Sequence, residues 1–90
     1  MASSPHTGVD LRSEGPSDGV LKLIIAGRLD SSTTGGIWRR ASTAVNGAHV
    51  ANVLIDATGI EYCDGAGIAL LVHLRRLQNK ANGDLHIDGL

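Results

Sequence analysis

Ninety residues with a net charge of −1 and a pI near 6.4 allow one small domain and leave no electrostatic footprint for nucleic acid or an anionic membrane. The longest apolar runs fall well short of the ~18 residues that a membrane-spanning helix needs. A lone cysteine, Cys63, excludes an internal disulfide, and with Trp38 and Tyr62 as the only aromatics the core must be built from Leu, Ile, Val and Ala.

Residues 1–19 are polar, rich in Ser, Gly and Pro, and lack the apolar centre of a signal peptide. They read as a flexible leader with one short strand near residues 9–12, and residues 15–19 as a hairpin turn. Residues 20–26, "VLKLIIA", predict a mostly buried strand. Gly27-Arg28-Leu29-Asp30 ends it, and Ser31 or Ser32 offers an N-cap for a helix over 32–46. On that helix Thr34, Ile37, Trp38, Ala41, Ala44 and Val45 share one face. Asn46-Gly47 supplies a stop.

Residues 50–55, "VANVLI", predict a second buried strand ending at Asp56. A loop of small residues then leads to a helix over 65–80, which carries Ile68, Leu71, Val72, Leu74 and Leu77. Arg75, Arg76 and Lys80 gather near its end, where cations suit the helix dipole. Asn82-Gly83 stops it, and residues 85–88 begin a further strand. The order predicts an α/β fold: a mixed, mostly parallel sheet of about four strands with two helices. The sequence stops at "HIDGL" with nothing to cover that strand, so the domain over 20–90 reads as incomplete at its C-terminus. Such a chain is expected to self-associate through uncovered apolar surface and an unpaired strand edge.

The segment "IDATGIEYCDGAGIALLVHLRR" carries the chemical question. Gly65-x-Gly67 before a helix, with Asp88 at the end of the next strand, partly matches a dinucleotide fingerprint. Leu70 stands where the third glycine belongs, and the interval from Ile55 to Gly65 is long for the tight turn required. No Gly-Lys-Ser/Thr phosphate loop occurs, and Ala66 stands where a nucleophile elbow needs serine. Cys63 has no histidine partner nearby in sequence. His6, His49, His73 and His86 show no ligand spacing, so no metal site and no catalytic set is expected. Asp30, Asp56 and Gly59 read as structural loop residues. Asp64 is placed to cap the helix beginning at Gly65, and the small residues that follow present a shallow surface suited to a protein contact.

The blocks "LIIAGRLDSSTT", "VLIDATGIEYCDGAGIALLVHLRR" and "GDLHIDGL" together resemble the STAS domain, the module shared by anti-sigma-factor antagonists and sulfate-transporter tails. The stretch "GRLDSSTTGGIWRRA" with "DATGIEYCDGAGIALLVHLRRLQ" is most similar to the N-terminal STAS segment of Mla-type ABC lipid-transporter permeases. In antagonists of this family an Asp-Ser-Ser-Gly motif opens the second helix, and its first Ser is phosphorylated. Asp64 and Gly67 match the ends of that motif, Gly65 stands at the phosphorylated position, and Ala66 replaces the second Ser. The resemblance implies a docking surface at Asp64, Gly65, Ala66, Gly67 and Ile68 from which the phosphate switch has been removed. It implies a non-enzymatic, cofactor-free, cytoplasmic module whose protein partner is an ABC ATPase subunit or a permease domain in cis, with no nucleic acid and no membrane insertion. A free-standing antagonist-like regulator and a nucleotide-binding STAS domain are the alternatives.

Overall fold

The computed structural model describes residues 8–89; residues 1–7 of the expected leader, His6 among them, lie outside that range. The elements run β1 (Val9–Ser17), β2 (Val20–Leu29), α1 (Thr34–Ala48), β3 (Asn52–Cys63), α2 (Gly65–Lys80) and β4 (Asp84–Asp88). They form a four-stranded sheet in the order β1-β2-β3-β4. β1 is antiparallel to β2, whereas β2, β3 and β4 are mutually parallel, as the alternation of strands and helices predicts.

β1 is longer than the expected 9–12. It extends to Ser17 because Asp18 and Gly19, both at positive φ (53° and 78°), close a two-residue turn in which Ser17 pairs with Val20. The turn is therefore tighter than the expected 15–19.

One face of the sheet carries the core. Leu21, Leu23, Ile25 and Leu29 of β2, Val53 and Ile55 of β3 and Leu85 of β4 point to the helices, where Ile37, Ala41 and Val45 of α1 and Leu70, Leu71 and Leu74 of α2 meet them. α1 lies over β1 and β2, and α2 over β3 and β4. Trp38 stacks on His73 with ring centroids 4.8 Å apart, and the His73 ring also reaches the Ser42 hydroxyl at 3.1 Å, which ties the helices together.

Three expectations need correction. β3 does not end at Asp56 but continues to Cys63. Two register shifts let β3 keep pairing with β2 through Leu29↔Cys63, and Asp56 sustains the first by accepting hydrogen bonds from the Thr58 amide (3.0 Å) and hydroxyl (2.6 Å). α1 begins at Thr34 and passes through Asn46 and Gly47, ending where His49 takes a left-handed conformation. On α2, Ile68 and Val72 are exposed at 47 % and 45 %. The buried stripe is Gly67, Leu70, Leu71, Leu74 and Gln78, the last tolerated because its amide donates to the Val50 carbonyl at 2.9 Å.

Charge is segregated in a way that composition conceals. Five of the eight basic residues (Arg39, Arg40, Arg75, Arg76 and Lys80) sit on the helices, while all nine acidic residues lie on strands and loops. The helices thus carry +5 and the rest of the chain −6, which together give the net −1.

Candidate functional site

Two strand-to-helix junctions meet at the carboxyl ends of the parallel strands, because Leu29 and Cys63, the last residues of β2 and β3, are register partners. The first junction is a loop knotted around Asp30. Its Oδ1 accepts from the Ser32 hydroxyl at 2.7 Å and the Ser32 amide at 2.9 Å, and its Oδ2 from Arg28 Nε at 3.3 Å. The Thr33 hydroxyl donates to the Arg28 carbonyl at 2.7 Å, and the Thr34 hydroxyl to the Asp30 carbonyl at 2.6 Å. The Ser32 hydroxyl above all, then its amide, Arg28 and Thr33, hold the Asp30 carboxyl below its ordinary pKa against the opposing effect of desolvation. The helix begins beyond both serines, so neither Ser31 nor Ser32 is the N-cap; that position falls to Thr33.

The second junction is a single residue. Asp64 leaves the strand in an extended conformation, its amide donates to the Leu29 carbonyl at 3.2 Å, and its Oδ1 accepts from the amides of Ala66 (2.9 Å) and Gly67 (3.3 Å). The long loop expected between Ile55 and Gly65 does not exist, so its length is no argument against a dinucleotide fingerprint. The argument from Leu70 stands, since that side chain is fully buried where the fingerprint needs glycine. The Asp64 carboxylate also occupies the helix-terminal amides that a phosphate would use.

The two glycines differ in role. A Cβ on Gly67 would lie 2.5 Å from the Leu29 carbonyl oxygen and 2.7 Å from the Cys63 sulfur, so only glycine lets α2 lie this close to β2. A Cβ on Gly65 would meet nothing within 4 Å. The residue at the phosphosite-equivalent position is therefore small for no packing reason.

Three large apolar side chains near this junction are exposed: Ile68 and Val72 on α2, and Tyr62 at 45 % on β3, where it points to the sheet face opposite Leu29, Cys63 and the helix. Arg28 covers the Tyr62 ring, 4.4 Å from its centroid, and so links both junctions. Tyr62 was legible in principle as one of two aromatics, but only the extension of β3 turns it outward. Cys63 is half-buried, and burial, followed by the charge of Asp64, raises its thiol pKa, which disfavours the nucleophilic thiolate. Asp56 and Gly59 lie apart from this site, in the bulged part of β3. Gly59 helps line an open depression of about 590 Å³, together with Asp10, Gly27 and Glu61. Its two carboxylates and lack of any lining cation suit a phosphate poorly. Among the described residues no three His, Cys, Asp or Glu side chains converge, and no helix is long and apolar enough to cross a membrane.

Residues 12–90 match the family profile described as "Mlab, STAS domain". The chain belongs to the STAS domain family. Among curated proteins none matches the sequence. Among solved structures, an anti-sigma factor antagonist from Mycobacterium paratuberculosis is similar at 21 % identity and TM-score 0.75, over 96 % of this chain and 70 % of its own. An antisigma-factor antagonist STAS domain from Rhodobacter sphaeroides is similar at 17 % identity and TM-score 0.72, over 90 % and 86 %. The anti-sigma factor antagonist SpoIIAA in its unphosphorylated form is similar at 18 % identity and TM-score 0.69, over 87 % and 71 %. At these identities the likeness is one of fold.

Proposed function

We propose that this STAS domain is a non-enzymatic interaction module of an ABC-type phospholipid transport permease. It sits on the cytoplasmic face of the inner membrane and docks the ATPase subunit or the permease domain in cis through Asp64–Ile68. The observation that carries this reading is the start of α2: an Asp-capped turn with clearance fixed by Gly67, followed by exposed Ile68 and Val72, with no hydroxyl at Gly65 or Ala66. The Mla-type wording of the family description and the permease-like stretch around Gly27–Ala41 support the transporter assignment.

Copurification with an ABC ATPase subunit from the same organism tests the site. Ile68→Asp and Val72→Asp should abolish retention while the circular dichroism of the domain is unchanged; full retention in both variants refutes the docking surface. Reading the gene past codon 90 tests the transporter assignment, since a permease requires several long apolar segments there.

A free-standing regulator of the antagonist type is the second reading, favoured by the likeness to antagonists such as SpoIIAA, which is described in both unphosphorylated and phosphorylated forms. With no acceptor at Gly65 or Ala66, incubation with an anti-sigma kinase and ATP should leave the intact mass unchanged. A phosphorylated species mapping to α2's first turn restores the switch. A nucleotide-binding role is the third reading, and the occupied helix-terminal amides count against it.

A further inference from the structure

We propose that the outer face of the two helices is an electrostatic docking surface for an anionic lipid bilayer. Neither α1 nor α2 contains an acidic residue, and their five cations are distributed over one side of the molecule. At 100° per residue, Arg39 on α1 and Arg76 and Lys80 on α2 point away from the sheet, opposite the buried stripes Ile37–Ala41–Val45 and Leu70–Leu74–Gln78. All three are exposed, and among the described residues neither a hydrogen bond nor an ion pair holds them. Arg40 and Arg75 flank them and anchor on backbone, donating to the carbonyls of Leu11 at 3.1 Å and Leu85 at 3.4 Å.

The acids only partly cancel this field. Asp30 and Asp64 sit at the N-terminal ends of α1 and α2, where Asp64 caps its helix. Arg76 and Lys80 lie in the last turns of α2, about three and four turns beyond Asp64 and farther from it than the ~8 Å beyond which charges are largely screened at physiological salt. The remaining seven acids lie on strands and their connecting loops, so the helix face is dominated by cations and the strands by carboxylates. The domain is electrically polarised, so an anionic surface orients it as well as attracting it.

A bilayer fits better than an acidic protein groove. The cations are spaced over two side-by-side helices without a concave site or a bidentate pair, and they have long flexible stems that can follow a fluid layer of headgroups. Ile68 and Val72 share the outward side of α2 with Arg76, toward the helix's N-terminus, so a bilayer and a protein partner would meet adjoining parts of one face. This inference does not rest on the transporter assignment: it needs only the charge pattern.

The test is cosedimentation of the chain with vesicles of equal parts phosphatidylglycerol and phosphatidylcholine, against phosphatidylcholine alone. Binding is expected only to the anionic vesicles, and it is lost as salt rises from about 0.05 to about 0.5 M. Each of Arg39→Gln, Arg76→Gln and Lys80→Gln should weaken partition about fivefold, with the triple variant unbound. Lys22→Gln, on the sheet, should leave partition unchanged. Equal binding to neutral vesicles, insensitivity to salt, or full binding by the triple variant overturns the proposal. Binding to polyglutamate with no binding to vesicles assigns the face to an acidic protein instead, and overturns it equally.

Discussion

The junctions after β2 and β3 start from paired residues, follow parallel strands and each place an aspartate just past the strand end, yet they are built in opposite ways. The first spreads its hydrogen bonds over Arg28, Asp30, Ser32, Thr33 and Thr34, and glycines at 35 and 36 have open space around them. The second compresses the turn into Asp64 and depends on Gly67 for clearance against Leu29 and Cys63. The first junction is redundant and tolerant, whereas the second is minimal and sterically fixed. A fixed helix start suits recognition, since little conformational freedom remains to be lost on binding.

The largest expected effect separates the glycines. Gly67→Ala should lower unfolding free energy by about 2–3 kcal/mol in urea melts, because the new methyl collides with backbone and sulfur rather than with a flexible side-chain end. Gly35→Ala, in the tolerant junction, should not destabilise. Equal costs at the two positions would erase the contrast.

Next comes the cap. Asp64→Ala should cost about 1 kcal/mol and Asp64→Asn much less, since the amide oxygen still accepts from Ala66 and Gly67. Equal losses would show that the charge, not the hydrogen bond, holds the turn. Gly65→Ala should be neutral or stabilise by up to about 0.5 kcal/mol, because its Cβ is unobstructed and the unfolded chain loses freedom. A clear loss there would mean that the turn is tighter than its geometry indicates.

The smallest effect is electrostatic. Asp30 has its pKa lowered from 3.8 in the folded chain, so its contribution is present at neutral pH and is lost as acid protonates it below about pH 4. Asp30→Asn should therefore flatten part of the acid limb of a stability–pH profile. An unchanged limb would place the acid sensitivity elsewhere, and Asp56, whose pKa is lowered chiefly by the Thr58 hydroxyl, is the next group to replace.

Much of this architecture was legible because it is local. The apolar strand at 20–26 and the helix bounds at 65 and 80 follow from composition and periodicity, and the Asp64 cap from a single residue type in the right place. What escaped depends on tertiary pairing. Asp56-Ala57-Thr58-Gly59 has the composition of a turn, and only pairing with β2 makes it a bulge within a longer strand. Ile68 and Val72 carry the same hydrophobicity as Leu71 and Leu74, so the residue types alone could not say which pairs face out. The contact of Arg28 with Tyr62 became legible only once β3 was seen to run beside β2 to Cys63.

The single tryptophan has a practical consequence. Trp38 sits on the seam between α1 and α2, stacked on an imidazole and away from the centre of the sheet. Its fluorescence therefore reports whether the helices remain docked to each other, whereas far-ultraviolet dichroism reports helix and strand content wherever it lies. If the helix pair loosens before the parallel strands separate, emission will change ahead of the dichroism. The protein thus carries a built-in probe for the face that we assign to the bilayer.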